Sequence, residues 1–288
     1  MDASAIYQAV DATYSSIASQ AQARSNQPPT AQPQYVQIAR SFGYSANDLA
    51  LLPTGANFGL SCGNPLATAH LQPSETMVDL GSGGGLDCLI AARQMLQADA
   101  APTGKVVGVD RSESMIGLAR QNLQRADLPA GLVEFIHAPI SEIPLETASV
   151  DVVVSNCVIN LVPDQDKPRV FREIYRLLKP GGRVAISDLL AKKPMPDHIR
   201  QDAALLVGCV AGASLVQDYR RWIADAGFHD DGMAVVDTGK DLNVYHGQDG
   251  PSPSPCCKSG VAEEGTGRGG SSVDFNAWVA SYQIYAVK

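Results

Sequence analysis

The chain has 288 residues, of which 45% are hydrophobic and 18% are charged, so it carries enough apolar material for one large domain or for a core with a cap. This composition excludes a disordered or fibrous protein. The 22 Lys and Arg against 30 Asp and Glu give a net charge of −8, the wrong sign for binding nucleic acid or anionic lipid. We therefore expect small-molecule partners, with neither nucleic acid nor membrane among them.

The apolar runs, the first residues and the cysteines of the chain indicate the cellular compartment of the protein. Apolar runs fall short of the roughly 20 residues that a membrane span needs, and residues 1–4 lack the pattern of a signal peptide. Six cysteines are too few and too scattered for a disulfide scaffold, so each is interpreted as a free thiol, either buried or reactive. These features predict a cytoplasmic protein.

The first part of the chain predicts an extension over a regular core. Residues 1–74 mix a polar, Gln- and Ser-rich start with weak helical patterning, which indicates an N-terminal cap. Residues 75–190 alternate apolar runs, glycine clusters and helix-like stretches, which is typical of βαβ units in a parallel sheet. The predicted strands are 77–80, 106–109, 133–136, 150–154 and 184–187. The Lys-Pro-Gly-Gly segment at 179–182 predicts a helix stop and a turn into the last strand.

Residues 191–288 form a predicted C-terminal region. From 191 to about 245 the pattern favours helix, helix and strand. Residues 247–272 are so rich in Gly, Ser and Pro that they predict a mobile loop. The tail 275–287 returns to aromatic and β-branched residues, which predicts an antiparallel strand on the sheet. The fold class expected from these patterns is α/β.

Glycines cluster where the first predicted strand meets the first helix, in Asp79-Leu80-Gly81-Ser82-Gly83-Gly84-Gly85. Glycine there lets the backbone turn sharply and approach a ligand closely. A dinucleotide fingerprint does not fit, because Leu86 stands at its third glycine, and a P-loop would need Gly-Lys-Ser/Thr. S-adenosylmethionine fits better, since its ammonium group favours Asp79 and it has no phosphate to be repelled. Asp110, at the end of the second strand, is placed to accept hydrogen bonds from both ribose hydroxyls.

Two further strand ends are candidates for ligand contact. His137-Ala138-Pro139-Ile140 ends the third strand, where this architecture commonly meets an adenine edge, although a plain strand-to-loop junction fits as well. Ser155-Asn156-Cys157-Val158 ends the fourth strand, at the edge where open α/β sheets bind ligands. The predicted cofactor-binding residues are Asp79, Gly81, Ser82, Gly83, Asp110, Arg111, Met115, Ala138, Pro139, Ile140 and Asn156.

The cysteine positions point to a particular chemistry. Cys157 would place a thiol beside the transferable methyl group, where methyltransferases acting on oxygen or nitrogen usually carry an acid or a base. Over about residues 40–230 the chain resembles the S-adenosylmethionine-dependent arsenite methyltransferases. The runs that carry the resemblance are Leu52–Asn57, Cys62–Pro65, Asp79–Cys88, Ser155–Pro163 and Gly208–Ala213. The run through Cys157 and the glycine-flanked Cys209 are the specific ones among them.

The resemblance implies a class I, Rossmann-like methyltransferase core with a mostly parallel seven-strand sheet. It divides the chain into a cap at 1–74, the cofactor-binding core at 75–190 and an arsenic-binding region at 191–288. It implies that Cys157 and Cys209 bind trivalent arsenic, with Cys62 as the third thiolate or a disulfide partner during turnover. The implied reaction converts arsenite and methylarsenite to methylated arsenicals, with glutathione or thioredoxin as the reductant. Soft thiolates suit such a thiophilic centre.

The chain departs from the family pattern, and alternatives stay open. Residues 1–61 contain no cysteine, so an upstream disulfide partner for Cys62 is missing, and the pair Cys256 and Cys257 is a candidate replacement for capturing arsenic. Cys88 is predicted to be a buried apolar residue. Two other functions remain: a methyltransferase acting on a sterol, quinone or amine, and a non-catalytic thiol protein that binds arsenic or senses redox state.

Four other residues after the fifth strand are predicted to be structural. Asp188 is interpreted as a loop acid. Tyr219, Trp222 and Ile223 are predicted to pack a helix on the core.

Overall fold

The computed structural model describes residues 2–23, 33–200, 209–242, 244 and 274–288. The predicted loop 247–272, with Cys256 and Cys257, lies outside the described residues. The α-helices are α1 (Ala3–Ala23), α2 (Pro33–Ser41), α3 (Ala46–Ala50), α4 (Leu66–Ala69), α5 (Leu86–Ala98), α6 (Glu113–Arg125), α7 (Lys167–Leu177), α8 (Asp197–Arg200) and α9 (Val216–Ala226). The strands are β1 (Thr76–Leu80), β2 (Lys105–Asp110), β3 (Val133–His137), β4 (Val150–Asn156), β5 (Leu178–Ala191), β6 (Met233–Asp237) and β7 (Val279–Val287). Short 3-10 helices span Ile159–Leu161, Asp230–Gly232 and Phe275–Ala277.

The strands form one sheet of seven, in the order β3-β2-β1-β4-β5-β7-β6. Strands β1 to β5 run parallel, whereas β7 runs antiparallel to both β5 and β6. The prediction of a mostly parallel seven-strand sheet is confirmed, as is the antiparallel strand near the C-terminus. Because β1 lies between β2 and β4, the strand order reverses there, and such a reversal opens a crevice at the carboxyl ends of the strands.

Alternating side chains build a core on each face of the sheet. Val78 and Leu80 of β1 pack on one face with Phe171 of α7 and Tyr219 of α9. Met77 faces the other way, into a cluster with the apolar side of α5. Since both faces are covered by helices, most residues of the central strands are apolar, as is typical of parallel strands.

Strand β5 is longer than its apolar run at 184–187 indicates. It begins at Leu178, directly after α7, and the residues between Leu178 and Arg183 form an irregularity against β4. The predicted turn at 179–182 therefore lies within the strand, and Gly181 there has a φ of +79° and donates its N–H to the carbonyl of Lys288. Pairing with β7 from Arg183 to Ala191 extends the strand at its other end.

Helix α1 packs on α6. Ile17, Ala18 and Ala21 of α1 pack on Met115 and Leu118 of α6. The boundaries of the predicted cap, core and C-terminal region, at residues 74 and 190, stay predictions. Of the helices that the structure describes, none combines the length and the apolar character needed to cross a membrane.

Candidate functional site

A pocket of about 1130 Å³, its mouth included, opens beside the glycine loop, at the carboxyl ends of β1, β2 and β4. Ten of the residues predicted to bind cofactor or substrate line it. They are Asp79, Gly81, Ser82, Gly83, Asp110, Arg111, Pro139, Ile140, Asn156 and Cys157. The predicted glycine loop and strand ends therefore meet in one cavity.

The structure places two of the predicted cofactor residues in the core instead of the pocket lining. Met115 is fully buried in the third position of α6, where it packs under α1. Ala138 is buried with the core on the α7 side of the sheet, and its N–H donates to the carbonyl of Asp110 at 3.0 Å. Both side chains therefore belong to the core, and their part in cofactor binding stays a prediction.

Close packing fixes the glycine loop. Gly81 has a φ of +68°, and a Cβ there would collide with Val158, the residue after Cys157. The missing side chain thus lets the end of β4 lie against the loop. Gly83 N–H donates to Asp110 Oδ2 at 2.9 Å, and Ser112 N–H donates to Asp110 Oδ1 at 2.8 Å. The first of these bonds ties the loop to the acid at the end of β2.

Buried acids line the inner side of the pocket. Asp79 and Asp87 are 3% and 5% exposed, and burial, followed by their mutual repulsion, raises the pKa of Asp79 well above its usual range. Burial also raises the pKa of Asp87, to about 6. Cys88, buried as predicted, donates its thiol to Asp79 Oδ2 at 3.3 Å. A cationic ligand would compensate these acids, whereas an anionic ligand would be repelled.

A hydrogen-bond chain joins Asp87 to Cys62. Tyr44 donates its hydroxyl to Asp87 Oδ1 at 2.7 Å, and Asn156 Nδ2 donates to that hydroxyl at 2.7 Å. Asn156 Oδ1 in turn accepts from the backbone N–H of Cys62 at 3.2 Å. Sequence reasoning missed Tyr44 and Asp87. Asp87 stands in a family motif without a role assigned to it, and Tyr44 carries no local signal, since only the fold brings it to Asp87.

Three cysteines from distant parts of the chain meet at the pocket's edge. Cys62 and Cys157 form a disulfide with a Cα–Cα distance of 5.9 Å, and Cys157 lines the pocket. The prediction that each cysteine is a free thiol is therefore wrong for this pair, because the fold brings the two residues together across 95 positions of the chain. The Cys209 thiol donates to the carbonyl oxygen of Cys157 at 2.7 Å. Both Cys157 and Cys209 have positive φ, +58° and +63°, in a region that residues with a side chain rarely adopt. The structure thus brings together the cysteines that the sequence singles out.

Asp188 lies beneath the cysteines, and its interpretation as a loop acid is wrong. It is a fully buried residue of β5, and one of its carboxylate oxygens is within 4.8 Å of the sulfur atoms of Cys62 and Cys157. Its carboxylate accepts from Asn160 Nδ2 at 2.8 Å and from the hydroxyl of Tyr219 at 2.8 Å. Tyr219 therefore packs the helix, as predicted, and also supports this carboxylate.

Helix α1 covers the pocket mouth through Tyr7, Val10, Asp11 and Tyr14. Asp11 forms an ion pair with Arg111, at 3.0 Å between Asp11 Oδ1 and Arg111 Nε. The Arg111 guanidinium also stacks on the ring of Tyr7 at 4.1 Å. The N-terminal segment thus contributes directly to the cavity, and Arg111 serves to hold that segment.

Comparisons with known proteins place the chain in a family. A family model described as a methyltransferase domain matches residues 71–227. The arsenite methyltransferase of Halobacterium salinarum is 48% identical over 186 residues, which are 65% of this chain and 45% of that protein. The human arsenite methyltransferase is 36% identical over 144 residues, which are 48% of this chain and 36% of that protein. The chain thus spans less than half the length of these curated relatives.

Solved structures show the same architecture. An arsenic(III) S-adenosylmethionine methyltransferase from Chlamydomonas reinhardtii is 25% identical with a TM-score of 0.56, covering 87% of this chain and 72% of that one. A phosphoethanolamine N-methyltransferase from Haemonchus contortus has a TM-score of 0.58 at 18% identity, covering 92% and 58%. The resemblance to arsenite methyltransferases is confirmed by these relatives. The match over 71–227, with the strand order and the glycine loop, shows that the chain belongs to the methyltransferase domain family.

Proposed function

We propose that this chain transfers the methyl group of S-adenosylmethionine to trivalent arsenic held by Cys157 and Cys209, with Cys62 as third thiolate or redox partner. The observation that carries the proposal is the meeting of these three cysteines beside a pocket built on the glycine loop. Arsenic(III) favours a pyramid of sulfur ligands, and soft thiolates are suited to such a centre. The arsenite methyltransferases among the relatives support the same substrate.

The residues of the pocket fit the proposed cofactor. S-Adenosylmethionine carries an ammonium and a sulfonium group, and the buried acids Asp79 and Asp87 favour positive charge. Ser82 Oγ is buried in the pocket without a hydrogen-bond partner among the described residues, so it is available to a bound ligand. Asp110 keeps acceptor capacity for the ribose hydroxyls, because each carboxylate oxygen accepts one backbone N–H and has a second lone pair.

The chemistry requires alignment more than proton transfer. When bound, S-adenosylmethionine supplies an electrophilic methyl carbon on its sulfonium. Arsenite exchanges its hydroxyls for cysteine sulfurs, each thiol proton leaving with a hydroxyl as water. The arsenic lone pair then forms the As–C bond while the C–S bond breaks toward sulfur, so positioning of Cys157 and Cys209 supplies most of the rate.

Methyl transfer oxidises arsenic by two electrons, and two cysteine thiolates can return those electrons by forming a disulfide. The Cys62–Cys157 bridge is a suitable end state for this step. An external thiol, glutathione or thioredoxin, then reduces the bridge by exchange. Cys256 and Cys257, outside the described residues, are proposed to capture or exchange arsenic, and methylarsenite is proposed as a second substrate. The cytoplasm, where such reductants act, is the proposed location.

Arsenic speciation tests the proposal. Purified protein is incubated with arsenite, S-adenosylmethionine and glutathione, and products are separated by chromatography with mass detection. We expect methylated arsenic from the unchanged protein and none from Cys157→Ser or Cys209→Ser. Cys88→Ser is the matched control, because it also exchanges a buried thiol for a hydroxyl and keeps the bond to Asp79.

Binding of S-adenosylhomocysteine to each variant separates the two halves of the site. If the cofactor binds but the unchanged protein methylates no arsenic, a methyltransferase acting on an organic molecule becomes the better interpretation. Retained methylation in Cys157→Ser would refute the thiolate mechanism. Absence of cofactor binding would favour a non-catalytic thiol protein.

A further inference from the structure

A charged lysine is fully buried near the cysteines, outside the residues that the proposed reaction uses. The side chain of Lys167, at the start of α7, is 0% exposed. Burial lowers its pKa, while the charges of Asp164 and Asp188 oppose that shift. A buried ammonium is costly unless its protons are all bonded, so the partners that Lys167 has are informative.

Two of the three partners of Lys167 lie on the segment that carries Cys209. Its Nζ donates to the carbonyl oxygen of Gly212 at 2.6 Å and to Ser214 Oγ at 2.8 Å. The third partner is Asp164 Oδ1, at 2.7 Å, on a half-exposed side chain. Each of the three ammonium protons thus has a hydrogen-bond acceptor, and two of the three acceptors belong to residues 209–215.

Regular structure contributes little to the position of Cys209. The described part of its segment, 209–215, forms neither a helix nor a paired strand, apart from an isolated bridge between Leu215 and Ala191. Its backbone bonds to the sheet include Ala191 N–H to the carbonyl of Ser214 at 2.9 Å. The positive φ of Cys209 adds strain that neighbouring contacts must hold. Lys167 supplies such contacts from a rigid helix.

We propose that Lys167 is a positioning residue for arsenic binding, which anchors the 209–215 segment so that the Cys209 thiol stays within bonding reach of the Cys157 region. This inference rests on the proposed function and adds to it a residue that touches neither arsenic nor cofactor. Groups that orient metal ligands in this way typically change affinity by about 10- to 100-fold when removed.

The test compares Lys167→Met and Ser214→Ala with the unchanged chain. Methionine keeps much of the apolar volume of lysine but donates nothing to Gly212 and Ser214, whereas Ser214→Ala removes one acceptor and leaves the lysine bonded to Asp164. The control is Met95→Ala, a buried change in α5 on the other face of the sheet, which lowers stability without touching the 209–215 segment. Proteins are reduced with a phosphine, since thiol reductants compete for arsenic.

Three quantities are measured: the dissociation constant for arsenite, the KM values for arsenite and S-adenosylmethionine, and the iodoacetamide alkylation rate of Cys209 relative to Cys88. For Lys167→Met we expect an arsenite dissociation constant weaker by about 10-fold or more, a raised KM for arsenite alone, and faster alkylation of Cys209. Ser214→Ala should change the same quantities by a smaller factor. Met95→Ala should leave them unchanged.

The outcomes separate the inference from the function on which it rests. If the unchanged protein binds no arsenite, the proposed function itself fails. If it binds arsenite and folded Lys167→Met and Ser214→Ala bind equally well, the positioning role of Lys167 is refuted. If both KM values rise together in Lys167→Met, Lys167 has only a general structural role and the inference is likewise overturned.

Discussion

Neutralising Asp188 should stabilise the protein above pH 6. Burial raises the pKa of this carboxyl to about 6, although it accepts from Asn160 Nδ2, Tyr219 OH and the N–H of Leu189. The unfolded chain should show a value near 3.9, so the folded state binds the proton more tightly. The carboxyl therefore adds no penalty below about pH 4, and stability is lost as pH rises through about 6.

The size of the effect follows from the shift. A difference of about 2 pKa units at 1.36 kcal/mol each amounts to about 3 kcal/mol of unfolding free energy above pH 7. Asp188→Asn removes this penalty, and the amide group of the new side chain can form hydrogen bonds to the same partners. Its carbonyl oxygen can accept from Asn160 Nδ2, and its amide can donate to Tyr219, whose hydroxyl can then donate to Asn160 Oδ1, 3.3 Å away.

Urea unfolding at pH 4 and pH 7.5 measures the prediction. We expect Asp188→Asn to exceed the unchanged chain in stability at pH 7.5, with an advantage about 2 kcal/mol larger there than at pH 4. Asp225→Asn, on the exposed side of α9, controls for charge removal. An advantage that does not grow with pH would show that Asp188 is ionised in the fold without cost. The hydrogen bonds from Asn160, Tyr219 and Leu189 would then be sufficient to stabilise the charged carboxylate.

The remaining predictions concern the pocket. Asp110→Ala should weaken S-adenosylhomocysteine binding at least about 10-fold in calorimetry, because charge-assisted bonds of about 1.5–3 kcal/mol are lost, and an unchanged constant contradicts the ribose assignment. Arg111→Met removes the ion pair to Asp11 and the stacking on Tyr7, so α1 amides should exchange faster with deuterium; unaltered exchange argues against Arg111 holding α1. Tyr44→Phe deprives the buried Asp87 carboxyl of its hydrogen bond from Tyr44 and should lower the free energy of unfolding in urea by about 1–3 kcal/mol. An unchanged free energy would show that this bond does not stabilise the fold.

Local sequence patterns are sufficient to predict the strands of the sheet and the glycine loop. Strands β1 and β4 are buried on both faces, and that requirement is visible in the sequence as short stretches in which most residues are apolar. The glycine loop is equally visible, since Gly81 must turn with positive φ and leave space for Val158. Both features identify the edge of the sheet at which the pocket opens.

Long-range contacts explain what the sequence did not show. Asp188 follows the apolar run of β5, so it resembles the first residue of a loop, but β7 pairs with β5 as far as Ala191 and buries it. Met115 stands near the predicted ribose acid in sequence, yet its position in α6 turns it toward α1. Tyr44 reaches Asp87 across 43 residues of chain, a separation that periodicity does not encode.

The backbone at the cysteines shows a conflict between stability and chemistry. Cys157 and Cys209 both occupy positive φ, where a side chain costs about 1–3 kcal/mol and glycine would be free of strain. Neighbouring bonds hold this strain: Cys157 N–H donates to the carbonyl of Ser187 at 2.9 Å, and the Cys209 thiol donates to the carbonyl of Cys157. Stability alone would favour glycine at both positions. A thiol at each of two strained positions that meet beside one pocket is therefore best explained by a requirement for sulfur there, and the proposed binding of trivalent arsenic would impose that requirement.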